Sequence, residues 1–271
     1  MKPRKFDYIR PDSVAEALEV LARYGEDARV LAGGQTLMAM LNLRLVETSV
    51  LVDISRVKEL EDIRITGGML EVGAAVTQNR LLAWPELSSR TPLLAKMLPW
   101  VGHFQTRNRG TVCGSIAHAD PSSEIPLALA MLDGEVVLRS KRGTRTLKAA
   151  EFQLGMLTTA RQPDELIVAA RFSIANGAAA FHEIARRHGD FAIVSVAAWA
   201  TGQSRMRLGV GGADSRPFIR NIDVNDGAHM RDAVENLVWQ LEPYEDMHAS
   251  PRMRRDLVRN LAPKIIAEAL A

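Results

Sequence analysis

ARVLAGGQTLMAMLNLRLVETSVLVDIS, residues 28–55, changes its hydrophobic period twice over a short length of chain. ARVLA is an apolar run of strand length, and Gly33-Gly34 interrupt it. QTLMAMLNL then spaces its apolar residues at helical intervals, and SVLVDIS returns to the pattern of a buried strand. Strand, glycine turn, helix, strand is the order of an α/β unit. Just upstream, DSVAEALEVLARYG reads as a helix: Ser13 and Glu16 fit a capping box, Val14, Ala17, Leu18 and Leu21 share a face, and Gly25 suits the stop. Residues 1–55 are therefore expected to form a small first lobe.

Beyond it, the chain mixes both periods. MLEVGAAV reads as a strand, helices are expected from about Thr77 and within PLLAKMLPWV and IPLALAML, and EVVLRS and ELIVAARFS read as further strands. KRGT at 141–144 makes a turn after EVVLRS. This is the pattern of a second, α+β lobe over 56–175. ANGAAA, from residue 175, has the small-residue composition of a linker. A third unit, 176–271, then carries a hairpin (AIVSVAAWA, turn GQS, RMRLGVGG) and two helices, HMRDAVENLVWQL and PRMRRDLVRNLAPKIIAEALA. The tryptophans, Trp84, Trp100, Trp199 and Trp239, are scattered and expected to fill cores.

The totals exclude several classes of function. Of 271 residues, 47% are apolar and 24% charged, which is the balance of a globular protein. Lys plus Arg (34) nearly cancels Asp plus Glu (32), so the net charge of +2 gives no reason to invoke nucleic acid or a membrane surface. The basic last helix, with Arg252, Arg254, Arg255 and Arg259, is read as a docking or solvent-facing helix. No apolar stretch has the length of a membrane span, and MKPRKFDYIRPDS has no apolar core of a signal peptide, so a cytoplasmic protein is expected. The single cysteine excludes an intrachain disulfide, a four-cysteine iron–sulfur centre and a zinc ribbon on this chain.

GTVCGSIAHADPSSE, residues 110–124, gathers the cysteine, a histidine and carboxylates. Ser115 lacks a G-x-S-x-G elbow, and Cys113, His118, Asp120 and Glu124 match no common metal spacing, which disfavours a nucleophile and a metal site. Asp120-Pro121 also reads as a purely structural helix start. Against that stands the second loop of the same type, AGGQTLM at 32–38. Two glycine turns bearing Thr36, Thr111 and Ser115, each leading into a helix, can turn amides and hydroxyls towards one anion, and a diphosphate is the natural guest. Acidic residues would repel it, so Asp120 and Glu124 are better placed on sugar-like hydroxyls. Neither loop is a G-x-G-x-x-G or a P-loop, which argues against a nicotinamide Rossmann site and an ATP site. Arg107 and Arg109 are candidates for phosphate support or a subunit contact, or for a solvated basic face.

LAGGQTLM with the LRL of 43–45 and LVDIS, RNRGTVCGSIAHADPSSEIPLA, TARQPDELI, FHEIARRHGDFAIV, LGVGGADSRP and YEDMHASPRMRRDL resemble, along nearly the whole chain, the FAD-binding medium subunit of molybdenum-containing hydroxylases. That family includes carbon monoxide, xanthine, quinoline and nicotine dehydrogenases. The resemblance implies an α+β protein with the two-lobed FAD-binding fold shared with vanillyl-alcohol oxidase, followed by a small C-terminal sheet-plus-helices domain. It implies that Ala32, Gly33, Gly34, Gln35, Thr36 and Leu37 form the first pyrophosphate loop, and Thr111, Gly114, Ser115 and Ile116 the second. Asp120 and Glu124 would meet the sugar-like portions of FAD, Val101 would lie beside the cofactor, and Leu166 or Ile167 and His182 would lie nearer the isoalloxazine. Cys113-Gly114 stands where the family usually has Gly-Gly, so either the backbone at Cys113 is ordinary or the loop is altered. His118 is expected to fix the loop by hydrogen bonding.

The same resemblance implies the partners: a large molybdopterin-binding subunit that hydroxylates the substrate and a small subunit with 2Fe–2S clusters, assembled as a dimer of heterotrimers. This chain would bind FAD noncovalently, take electrons from the iron–sulfur clusters and pass them to an external acceptor, with no catalytic acid or base of its own. A stand-alone FAD oxidoreductase and a carrier or assembly factor without redox function are the alternatives.

Overall fold

The computed structural model describes residues 2–174, 177–202, 204–224 and 226–271. Strand β1 (Asp7–Ile9), helix α1 (Val14–Tyr24), β2 (Ala28–Leu31), α2 (Leu37–Asn42) and β3 (Val50–Asp53) come first. The strands form an all-parallel sheet in the order β1-β3-β2. Helix α1 starts where the capping residues place it: Ser13 Oγ accepts the Glu16 amide at 3.2 Å, and Glu16 Oε2 in turn accepts the amide of Asp12. Its buried stripe is Val14, Ala17, Leu18 and Leu21. Full burial of each leucine contributes about 1.5–3 kcal/mol.

The middle of the chain begins with β4 (Ile63–Thr66) and β5 (Met69–Gly73). Six short helices follow: α3 (Gln78–Leu82), α4 (Leu87–Arg90), α5 (Pro92–Met97), α6 (Phe104–Arg109), α7 (Val112–His118) and α8 (Glu124–Met131). Then come β6 (Glu135–Ser140), β7 (Gly143–Lys148), α9 (Ala149–Phe152), the small hairpin β8 (Gln153–Gly155) and β9 (Thr158–Thr159), and β10 (Leu166–Ser173). An antiparallel sheet in the order β4-β5-β10-β6-β7 backs the helices. Thr77 caps α3 and Pro92 opens α5, as residues of those types should.

The last part holds β11 (Ala179–Ile184), β12 (Val194–Ala200), β13 (Arg205–Gly211) and β14 (Phe218–Asp223), a sequential antiparallel sheet, then α10 (Gly227–Gln240) and α11 (Pro251–Leu270). Alternation divides the strands between two cores. Ala180, Val196 and Ala198 join Val238, Val258 and Ile266 under the two helices, whereas Ala179, Phe181 and Ala197 join the core of the preceding parts. Helix α8 lies against that second face and is buried almost throughout, from Glu124 to Leu129 and at Met131. It fits because β13 presents glycines: a Cβ on Gly209 would lie 2.5 Å from Met131 Sδ, and one on Gly211 3.4 Å from Leu127 Cδ2.

Two sequence readings need amendment. Of ANGAAA, Ala175 and Asn176 lie outside the described residues, but Ala179 and Ala180 open a buried strand rather than continue a linker. Gln203, in the GQS turn, also lies outside them. The basic last helix is a docked helix with one wholly buried cation. Arg254 donates to the carbonyls of Ile193 and Gly212 at 2.6 Å each and of Tyr244 at 3.1 Å, pairs with Asp246 at 2.6 Å and lies over the Tyr244 ring. Arg259 pairs with Glu235 of α10 at 2.7 Å. Among the described residues no helix is long and apolar enough to cross a membrane.

Candidate functional site

A cleft of about 770 Å³ opens between the three parts of the chain, within the range of about 300–1,000 Å³ typical of ligand sites. Its floor is two loops in direct main-chain contact. The first runs from the end of β2 into α2. The amides of Gly33, Gly34, Gln35, Thr36 and Leu37 find no acceptor among the described residues, and all five residues line the cleft. Gly34 has φ +70°, the left-handed value that favours glycine. Gly33 is there for closeness: a Cβ would lie 2.2 Å from the carbonyl oxygen of Arg109 and 2.7 Å from Gly110 Cα.

Those two atoms begin the second loop. It is pinned to the end of β5 by Gln78 N–H donating to Gly110 O at 2.8 Å, Val112 N–H to Val76 O at 3.1 Å, and the isolated bridge between Thr77 and Thr111. Thr111 caps α7, its hydroxyl accepting the Gly114 amide at 3.0 Å, and a Cβ on Gly114 would crowd that hydroxyl at 2.7 Å. The amides of Thr111 and Cys113 have no acceptor among the described residues. The loops thus form one donor-rich cradle of main-chain amides suited to a diphosphate, in a cleft that Arg29 and Arg161 also line.

Of the residues singled out in the sequence, Ala32, Gly33, Gly34, Gln35, Thr36, Leu37, Val101, Thr111, Gly114, Ser115, Glu124 and Ile167 line the cleft, as does Leu166. Ile116, Asp120 and His182 do not. Ile116 is fully buried in the core beneath the loop. Asp120 Oδ1 accepts the Ser122 amide at 2.8 Å, which builds a turn, and α8 starts later, with Ser123 at its N-cap position. His182 is exposed on β11, its ring 4.9 Å from that of Trp100. His118 lines the cleft, but its nearest charged partner, Asp120, is 4.0 Å away, beyond a hydrogen bond. Arg107 does not line the cleft: Nη1 donates to the carbonyls of Val101 and Gly102 at 2.9 Å, bracing the segment that does.

Titration behaviour separates the reactive-looking groups. Cys113 is 3% exposed, has ordinary helical backbone, and burial pushes its thiol up to about 12, so it is packing and not a nucleophile. Burial also lowers the pKa of His118, against the opposing pull of Asp120. Glu124, 5% exposed, is pushed up to about 7, first by burial and then by Asp120. Among the described residues no group of three or more His, Cys, Asp or Glu is placed to hold a metal ion.

Other lining residues carried no local signal. Gln78 is buried with Oε1 unpartnered. Leu157 and Thr158 come from the β8–β9 hairpin and Arg161 from the segment after it, where its Nη1 donates to the carbonyls of Gln162 and Glu165 at 3.0 and 2.7 Å. Phe191, 58% exposed, adds an aromatic ring next to Gly189 and Asp190. The cleft therefore offers amides for a diphosphate, a carboxyl for hydroxyls, and apolar walls at Val101, Leu166, Ile167 and Phe191 for a flat ring. These residues fit FAD.

Comparison with known proteins points the same way. Residues 4–172 match the model of the FAD binding domain in molybdopterin dehydrogenase, and residues 179–269 that of the CO dehydrogenase flavoprotein C-terminal domain. Over 100% of its length the chain is 37% identical to subunit alpha of the 6-hydroxypseudooxynicotine dehydrogenase complex of Paenarthrobacter nicotinovorans, covering 96% of that protein. It is 31% identical to the glyceraldehyde dehydrogenase medium chain of Sulfolobus acidocaldarius, over 99% of each chain. Among solved structures, quinoline 2-oxidoreductase of Pseudomonas putida 86 superposes with a TM-score of 0.93 at 35% identity, over 100% of this chain and 98% of that one.

Proposed function

Since the chain belongs to the family of FAD-binding subunits of molybdenum-containing dehydrogenases, we propose that it is the subunit through which electrons leave such a complex. FAD, when bound, supplies a group that takes up electrons singly and releases them in pairs. The chain's own residues bind and orient it. The amides of Gly33–Leu37 and of Thr111 and Cys113 hold the diphosphate, with Thr36 and Ser115 at the same rim. Glu124 accepts from the sugar-like hydroxyls, and Ala32, Val101, Ile167 and Phe191 exclude water around the rings. Ile116 packs in the core beneath the second loop and Asp120 builds the turn before Glu124, whereas His182 lies outside the cleft. A single observation carries the assignment: the main-chain contact of Gly33 with Arg109 and Gly110, which makes two distant stretches of sequence into one anion cradle.

In this reading electrons arrive from 2Fe–2S clusters on a small partner, the molybdopterin cofactor and the substrate chemistry sit on a large partner, and three chains pair into a dimer of heterotrimers in the cytoplasm. The three larger sheets, with the small β8–β9 hairpin alongside the second, support units at 1–55, 56–175 and 176–271. The test is to purify the full chain alone and with its partners. A yellow chain that oxidises no substrate alone, and whose flavin is reduced by substrate once the partners are added, is the expected result. Oxidation of a small molecule by the isolated chain would establish a stand-alone oxidoreductase, and a colourless chain that takes up no FAD would end the cofactor reading.

A further inference from the structure

A polar side chain at the meeting point of the two loops has no partner within the fold. Gln78 follows the bridge between Thr77 and Thr111, and its amide donates to Gly110 O at 2.8 Å. Its carboxamide folds back onto the same glycine: a Cβ on Gly110 would lie 3.0 Å from Gln78 Oε1 and 3.3 Å from Cδ. Gly33 presses on that glycine too, its own Cβ position being 2.7 Å from Gly110 Cα. Carboxamide, Gly110 and Gly33 therefore form a chain of contacts across the narrowest point of the cradle. Gln78 is 5% exposed, and Oε1 is shut in without a hydrogen-bond partner. Nε2 is not shut in, and in a side chain that lines the cleft it donates to nothing among the described residues.

We propose that Gln78 is a cofactor-binding residue: Nε2 donates to a diphosphate oxygen where the two loops meet, adding a neutral side-chain donor to the main-chain amides of the cradle. The inference rests on the FAD site proposed above. The polar groups around the carboxamide are already engaged. Thr106 O accepts the Gly110 amide at 2.6 Å, Thr77 Oγ1 the Arg80 amide at 3.2 Å and Thr111 Oγ1 the Gly114 amide at 3.0 Å, while Gly110 O accepts the amide of Gln78 itself. Burying a carboxamide without partners destabilises a fold, and an unbranched apolar side chain would fill the same volume without that cost. A group retained against stability at the edge of a ligand site is the mark of a trade-off between stability and function. A diphosphate offers acceptors only, which matches Nε2. Gln78 touches the residue on which Gly33 rests, so the diphosphate is the part of the cofactor nearest to it.

The test uses the apo full chain and two ligands: FAD, followed by the change in flavin fluorescence, and ADP, which has the diphosphate but no flavin, measured by competition against FAD. Q78M removes the donor and keeps an unbranched side chain of similar length. It should weaken FAD and ADP by the same factor, about ten- to a hundredfold, the loss expected for one hydrogen bond to a charged group. Its denaturation midpoint in the apo state should equal or exceed that of the wild type, which a purely structural glutamine would not allow. Q78E keeps the shape but turns an acceptor towards the phosphates, and should weaken both ligands at least as much. It carries the binding test by itself should Q78M fail to fold. Affinity for FAD within about twofold of wild type in either variant overturns the inference. So does a loss confined to FAD with ADP unchanged, which would place the contact on the flavin, or an apo Q78M chain whose stability falls in step with its affinity. A wild-type chain that binds neither FAD nor ADP overturns the cofactor site and this inference with it.

Discussion

Replacing Gly33 by alanine tests the cradle at its narrowest point. The added carbon would stand 2.2 Å from Arg109 O, 2.7 Å from Gly110 Cα and 2.8 Å from Arg109 C, and all three are main-chain atoms that no rotamer change can move. A tolerable carbon–oxygen contact is about 3.3 Å, so the loops must part by roughly 1 Å. Parting them costs stability on the scale of an overpacked core, about 1–3 kcal/mol. The larger effect falls on the ligand. Amides from both loops would no longer reach one diphosphate, and a lost hydrogen bond to a charged group costs about 1.5–3 kcal/mol. Two such losses weaken FAD binding by a factor of about 10² to 10⁴. The assay is the flavin-to-protein absorbance ratio after purification, with calorimetric titration of the apo chain and circular dichroism to confirm folding. G67A is the control: Gly67 has φ +56° but open space around its Cβ position, so it incurs the backbone strain of a left-handed alanine without touching the loops. G33A that purifies with stoichiometric flavin and a wild-type Kd would refute the convergence of the loops as the basis of binding.

Further outcomes follow from other parts of the molecule. Cys113 should resist iodoacetamide in the folded protein at mildly alkaline pH and react on unfolding in guanidinium, and C113S should keep its flavin; rapid alkylation of the native chain would contradict a packing role. R254M should lower stability by about 3–5 kcal/mol, read from the chemical-denaturation midpoint, because the carbonyls of Ile193, Gly212 and Tyr244 and the carboxylate of Asp246 lose their common donor. R254K should not rescue it, since an ammonium lacks the planar fork. Glu71, held by Arg171 at 2.6 Å and Arg64 at 2.5 Å, has a carboxyl depressed by those partners against the opposing effect of burial. Its contribution is present above the ordinary carboxylate range and lost as pH falls through the depressed value, so E71Q should flatten the acid side of a plot of stability against pH. An unchanged acid limb would refute that coupling.

Caps and periodicity made much of this architecture readable. Ser13 and Thr77 accept N-terminal amides of their helices, and the changing period over residues 28–55 is the β2–α2–β3 unit. Short elements were not readable: β1, β8 and β9 have three, three and two residues, too few for any period to show. Asp120-Pro121 resembled a helix start because an Asx turn and an N-cap use the same side-chain geometry, and only the fold shows the helix opening at Glu124. Arg254 was placed on a docking or solvent-facing helix because nothing local distinguishes a buried guanidinium from an exposed one; its partners are 8 to 61 residues away. The cleft residues Gln78, Arg161 and Phe191 were missed for the same reason. The two glycine loops announced a ligand, but that Gly33 rests on the peptide after Arg109 is a tertiary fact.

Helix α8 turns almost none of its surface to water. Its first residue reaches the cleft while Leu127 and Met131 nest on the glycines of a sheet that the chain has yet to complete when the helix is made. A shortened protein ending near Ser173 would therefore present a greasy rod to solvent and precipitate, even with every cradle amide intact. Residues 4–172 and 179–269 should therefore be expressed as one piece.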